Sequence, residues 1–183
     1  MDLKVVLCCV LVACSPALEP QPATGEFPGT DGLSHPLVDP GAAFTVVEFF
    51  SARCPCQAKH DERLQGLVAS YRDQGVAFVA VDSEADATLS RDKVEAARRG
   101  YSYAILVDPD GRAARAMKAD YATYSLLLDR TGRVLYRGGI DSDRSHLRDD
   151  AIPYLRNAID DAVAARAIRV PAARTLGCSL ALR

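Results

Sequence analysis

The segment that most restricts the fold is Phe-Thr-Val-Val-Glu-Phe-Phe at residues 44–50, which runs directly into Ser51-Ala52-Arg53-Cys54-Pro55-Cys56. Its β-branched and aromatic residues make a run of strand length. Beyond Cys56, the residues Ala58, Leu64, Leu67, Val68 and Tyr71 recur at helical spacing, and Gly75 follows the helix end. The chain therefore passes from strand to helix at Cys-Pro-Cys. Pro55 suits the first helical position, where its missing N–H costs nothing.

The rest of the pattern supplies more strands and helices in alternation. Residues 76–81 read as a second buried strand closing on Asp82, and a helix is expected at about 91–99, ending at Gly100. Residues 103–107 form a short apolar strand, followed by Asp-Pro-Asp-Gly, a turn signal, and then a helix over 113–119. Residues 125–128 and 134–137 flank Asp129-Arg-Thr-Gly132 as a hairpin. A last helix is expected at about 147–166, with Leu147, Ala151, Leu155, Ile159 and Ala162 on one face. The order β-α-β-α-β-α-β-β-α predicts an α/β fold with a mixed central sheet, parallel crossovers and a terminal antiparallel hairpin.

Upstream of this unit the sequence has a different character. Lys4 precedes an unbroken apolar run over residues 5–12, far shorter than the ~20 residues a bilayer-spanning helix needs. Residues 1–13 read as a signal peptide. Leu11-Val12-Ala13-Cys14 matches the bacterial lipobox, so Cys14 is the expected lipidation site and the mature N-terminus. Ser15 after it, rather than aspartate, weakly favours the outer membrane. These features place the chain in the bacterial cell envelope, lipid-anchored on the periplasmic face. Residues 14–40 are rich in proline and glycine with little apolar periodicity, and are expected to be a flexible tether; the folded domain is residues 41–183. A net charge of -2 and the absence of tryptophan give no reason to expect nucleic acid as a partner.

A cysteine between a strand end and a helix start meets unpaired backbone N–H groups and the positive end of the helix dipole. Such cysteines can have pKa values of ~3.5–7.5 against ~8.5 when free. Arg53 is expected to add positive charge, and Cys54 is the candidate nucleophile. Cys56 and Cys178 are both candidates for the resolving thiol. A Cys54–Cys56 bond would close a very small ring through Pro55, while a bridge to Cys178 would leave a spare thiol.

Phe49-Phe-Ser-Ala-Arg-Cys-Pro-Cys56, the hairpin from Leu128 to Asp141 and the tail Thr175-Leu-Gly-Cys-Ser-Leu180 together resemble the thioredoxin superfamily, and more closely its redoxin (AhpC/TSA-like) branch. The likeness spans essentially the whole mature domain. It implies a thioredoxin-like three-layer sandwich and exchange with thiols or disulfides of proteins or small molecules. The family's substrate loop carries a cis-proline where this chain has Thr123, which is expected to be trans.

Two other chemistries compete with thiol–disulfide exchange. Cys54-x-Cys56 with His60 one helical turn beyond offers soft ligands for Cu(I), with Cys178 as a further donor. The plainer reading of His60 is a solvent-facing helix residue. Ser51-x-x-Cys54 resembles the peroxiredoxin pattern, but Val47 stands where the upstream proline belongs. Asp82 is read as a turn cap that could face the site, and Asp141 and Asp143 as caps or turn residues.

Overall fold

Alternation along the central strands splits the core into two faces. The computed structural model describes residues 22–183; the signal peptide, Cys8, Cys9 and the Cys14 lipidation site lie outside them. The chain order is β1 (Glu26–Pro28), β2 (Ser34–Pro36), β3 (Phe44–Phe49), α1 (Pro55–Tyr71), β4 (Val76–Asp82), α2 (Leu89–Arg99), β5 (Ile105–Val107), α3 (Arg112–Met117), β6 (Tyr124–Asp129), β7 (Val134–Gly139) and α4 (Tyr154–Val163). Five strands form one sheet in the order β5-β4-β3-β6-β7. β3 and β4 run parallel with Phe44 opposite Val76, while β3 and β6 run antiparallel with Glu48 opposite Ser125.

Because successive side chains on a strand point to opposite faces, Val46 and Leu127 pack with Leu64, Leu67, Val68 and Tyr71 of α1 and with Leu155 and Ile159 of α4. Val47, Phe49, Leu126 and Leu128 face the other way, onto Ala113, Ala114 and Met117 of α3. The result is the thioredoxin-like three-layer arrangement. α1 ends in a short 3-10 turn at Gly75, and α2 ends at Gly100; both glycines hold positive φ, which a side chain would resist.

Two expectations need correction. Residues 22–40 are not a free tether. β1 and β2 pair as an antiparallel hairpin, Phe27 and Leu37 are each 1% exposed, and both join the α3-side core. Thr30 bonds reciprocally to Ile105 at the β5 edge, with its N–H donating to the Ile105 carbonyl and its hydroxyl accepting the Ile105 N–H. Arg112 stacks its guanidinium 3.9 Å from the Phe27 ring centroid. Two isolated apolar residues among prolines leave no periodic signal, yet they complete one face of the sheet. The last helix is also shorter than expected. Leu147 and Ala151 lie in a loop, since Pro153 stands at the N-cap and cannot donate within a helix passing through it.

Candidate functional site: three converging thiols

β3 delivers the chain to the carboxyl end of the sheet, where Ser51 accepts the Cys54 N–H at 3.2 Å and turns the backbone into α1. Cys54 occupies the N-cap, and its Sγ accepts from the Gln57 N–H at 3.4 Å, taking the place of the usual hydroxyl or carboxylate cap. Pro55 holds the first helical position, as its ring geometry favours. Cys54 and Cys56 are 2% and 4% exposed.

The third sulfur arrives from the other end of the chain. Cys178 Sγ lies 2.9 Å from Cys54 Sγ, across a separation of 124 residues. All three Sγ atoms fall within 4.8 Å of one another, and all three cysteines are free thiols. Burial first, and then the neighbouring Cys54 and Cys56 sulfurs, push the Cys178 thiol up to about 12. The short S···S contact fits one thiol hydrogen shared between the two sulfurs.

The tail is seated by backbone bonds. The Cys178 carbonyl accepts the Ala122 N–H at 2.8 Å, the Leu180 N–H donates to the Asp120 carbonyl at 2.9 Å, and Tyr121 pairs antiparallel with Ser179. Thr123, the counterpart of the family's cis-proline position, is buried beside this segment. No peptide bond among the described residues is cis, and Thr123 holds φ at 63°. For a β-branched residue that conformation is strained. It is held by the Thr123 N–H donating to the Phe49 carbonyl at 2.9 Å.

Three sequence expectations change here. His60 is 2% exposed rather than solvent-facing, and it does not join the sulfur cluster. Its Nδ1 faces the Cys56 carbonyl at 2.8 Å and its Nε2 faces the Asp141 carboxylate at 3.2 Å. Both partners are acceptors, so both ring nitrogens donate and neither is free to ligate a metal. Burial opposes the charge on His60, but the bonds to Asp141 and to the Cys56 carbonyl outweigh it and raise its pKa. Arg53 does not lend the thiol an uncompensated charge, because its guanidinium is paired with Asp86 at 2.7 Å and Glu84 at 3.2 Å. Asp141 is more than a turn cap. It also accepts from Arg63 at 2.5 Å, and His60 and Arg63 overcome its burial to hold it below the usual carboxylate range.

Asp82 does cap its turn, accepting the Glu84 N–H at 3.0 Å, while pairing with Arg91. Burial and the neighbouring Asp92 raise it to about 7.

Two polar residues near the junction carry no local sequence signal of a role in the site. Glu48 is 1% exposed, and one carboxylate oxygen accepts from the Ser125 hydroxyl while the other has no partner. Burial raises it to about 7 against the opposing Ser125 bond and His60 charge. Gln57, in the first turn of α1, is fully buried and its amide makes no well-formed hydrogen bond. What the sequence does show is a lone carboxylate inside an apolar strand, which has to be hydrogen-bonded or neutralised.

Known proteins with this architecture carry varied descriptions. A hypothetical protein from Sinorhizobium meliloti 1021 is 27% identical, with 92% of this chain and 96% of that chain covered and a TM-score of 0.78. An uncharacterized conserved protein from Geobacillus kaustophilus is 25% identical, with 93% and 94% covered and a TM-score of 0.82. The thioredoxin domain of a thiol-disulfide oxidoreductase from Bacteroides vulgatus, 18% identical over 81% of this chain and 99% of that one, has a TM-score of 0.63 and shares the fold. No curated protein matches the chain. The Redoxin family model matches residues 19–151, and with the strand order and the Cys-Pro junction this establishes that the chain belongs to the Redoxin family of the thioredoxin superfamily.

Proposed function

We propose that this chain is an envelope thiol–disulfide oxidoreductase in which Cys54 is the nucleophile and Cys178 the resolving thiol. The observation that carries the assignment is the 2.9 Å contact between their sulfurs. Cys54 thiolate attacks one sulfur of a client disulfide, the Cys54–client bond forms and the other client sulfur leaves as thiolate. Cys178 then attacks Cys54, forming Cys54–Cys178 and releasing the second client thiol. The chain's two thiols thus supply the two electrons that reduce the client disulfide, and every step is reversible. Cys56 remains as a spare thiol in the cluster. Glu48, poised near neutrality under the first turns of α1, is suited to hold or release a proton during the exchange.

The clients are protein or small-molecule thiols and disulfides. The lipobox at Cys14 supports a lipid anchor on the periplasmic face, with the outer membrane weakly favoured. No helix among the described residues is long and apolar enough to cross a membrane.

The test is mass-spectrometric disulfide mapping of the mature chain across a series of glutathione redox buffers. Cys54–Cys178 is expected as the first bond to form, and Cys178→Ser should abolish it. A chain whose Cys54 stays reduced throughout, or whose bond is always Cys54–Cys56, refutes the assignment.

A second reading, carriage of Cu(I), is supported by the all-sulfur cluster. Three thiolates suit Cu(I), which accepts low coordination, better than Zn(II), which takes four ligands in structural sites. His60 drops out of that ligand set. Tight stoichiometric Cu(I) binding that is lost in Cys178→Ser, together with a Cys54 that resists oxidation, would favour this reading.

A further inference from the structure

We infer that the tail segment 177–182 is an internal stand-in for a client peptide: it occupies the edge at residues 120–122 and must leave before an external disulfide reaches Cys54. This rests on Cys54 being the exchanging thiol. The segment adds to the edge as a short antiparallel strand, using the Ala122 N–H and the Asp120 carbonyl, a recurrent mode of peptide capture. Seated there, it covers Cys54, which is 2% exposed, and holds a cysteine sulfur 2.9 Å away. A foreign extended segment bonded to the same two backbone groups would bring its own cysteine to the same point.

The tail is tied down on both sides of the cysteine. Upstream it is anchored on β7, where Arg137 bonds to the Pro171 carbonyl and to the Ala173 N–H. Downstream it is held by the Ala85 N–H donating to the Ala181 carbonyl and by buried Leu180. Release of the chain beyond residue 174 would free Cys54 and leave the pairing of the five strands intact, at the cost of withdrawing Leu180 from the core.

The same contacts define the client. A Cβ at Gly177 would meet the Ala122 carbonyl oxygen at 1.6 Å and Thr123 Oγ1 at 2.7 Å. The Ala122 carbonyl cannot yield, because its peptide unit is pinned by the Thr123 N–H donating to the Phe49 carbonyl. A client on this track accordingly presents glycine immediately before its cysteine. The chain preceding that glycine, residues 173–177 with Arg174 among them, forms one wall of a cleft of about 530 Å³ whose other lining is Lys118, Asp120, Tyr121, Tyr124 and Arg144. None of the three cations forms an ion pair among the described residues, so acidic residues ahead of Gly-Cys complement it.

In the exchange, the Cys54 thiolate attacks the client cysteine's sulfur while the tail is out, breaking the client disulfide and expelling its other sulfur as thiolate. When the tail returns, Cys178 attacks Cys54 and the client leaves as thiol from the track the tail reoccupies, its proton supplied by Cys178. Electrons and protons balance without a further reagent.

The first measurement is alkylation of Cys54 by iodoacetamide in the reduced, full-length mature chain. Gly177→Ala is expected to raise the rate at least tenfold, and an unchanged rate overturns the proposal. A second measurement needs no variant: in the reduced wild type, the Ala122 amide, covered by the tail, should exchange hydrogen at least 100-fold faster than the Thr123 amide, covered by β3. Equal rates mean the tail leaves only on global unfolding and overturn the proposal. For specificity, Glu-Asp-Gly-Cys-Ser and Glu-Asp-Val-Cys-Ser, each carrying a chromogenic thiol leaving group, are compared for release by the wild-type chain. A preference for the glycine peptide of at least tenfold is expected, and equal rates refute the assigned client. If no peptide reacts at all, the oxidoreductase reading fails, while alkylation and exchange still decide whether the tail covers Cys54.

Discussion

Replacing Glu48 with glutamine tests whether its buried carboxyl is held near neutrality, and the expected size follows from the structure. Burial raises Glu48 from its ordinary 4.5 to about 7. Between those values the folded chain keeps the proton while the unfolded chain has released it. The native state then binds more protons, so stability falls as pH rises through this window and levels off above about 7. Each pH unit of displacement is worth about 1.4 kcal/mol, giving a loss of about 3 kcal/mol across the window. Glutamine is nearly isosteric, can keep the Ser125 bond and does not titrate. Relative to wild type, Glu48→Gln should therefore gain about 3 kcal/mol between pH 4.5 and pH 8. Urea unfolding at several pH values for both proteins measures this directly. Contributions from groups not linked to Glu48, Asp82 among them, cancel in the difference, as does any constant offset from the new amide; His60, whose pKa the Glu48 charge helps to raise, adds a smaller pH dependence of its own. A stability difference that does not change with pH would refute the reasoning, because it would show Glu48 ionised in the folded state as readily as in the unfolded chain.

Two further outcomes probe other parts of the structure. Phe27→Ala should cost about 3 kcal/mol or more in urea melts, as removal of a buried aromatic does; a residue in a free tether would change stability by under ~0.5 kcal/mol. Asp141→Asn should lower the His60 pKa, read from its ring protons by NMR, and destabilise the fold by about 3 kcal/mol, because it strands a buried cation. His60 is raised in the folded state, so that part of the cost is full below about pH 6.5 and disappears as pH rises through the folded value. The part due to Arg63 remains, and an unchanged His60 pKa would remove Asp141 as its partner.

The sheet and α1 were legible because their signals are local. Phe44 to Phe50 alternates between two cores, and Leu64 to Tyr71 repeats at helical spacing, so a few consecutive residues suffice to reveal each element. Gly75 and Gly100 marked their helix ends for the same reason: a positive φ is a requirement of one residue. The start of α4 was misjudged because Leu147 and Ala151 fall on the helical repeat, while the Pro153 break and the Asp143 bond to the Arg148 N–H favour a loop. His60 looked solvent-facing among charged neighbours. Its burial depends on Asp141, 81 residues away, which no local pattern can report.

By itself, the sequence determined that a Cys-Pro-Cys tripeptide stands at a strand-to-helix junction, and therefore that Cys54 caps α1. Backbone geometry there is set by Pro55 and the flanking periodicities. Only the tertiary structure decided which thiol meets Cys54. Contact between Cys54 and Cys178 across 124 residues requires residues 120–122 to offer a strand edge and Gly177 to pass close by the Ala122 carbonyl. Those conditions are contacts between distant segments, created when the sheet closes.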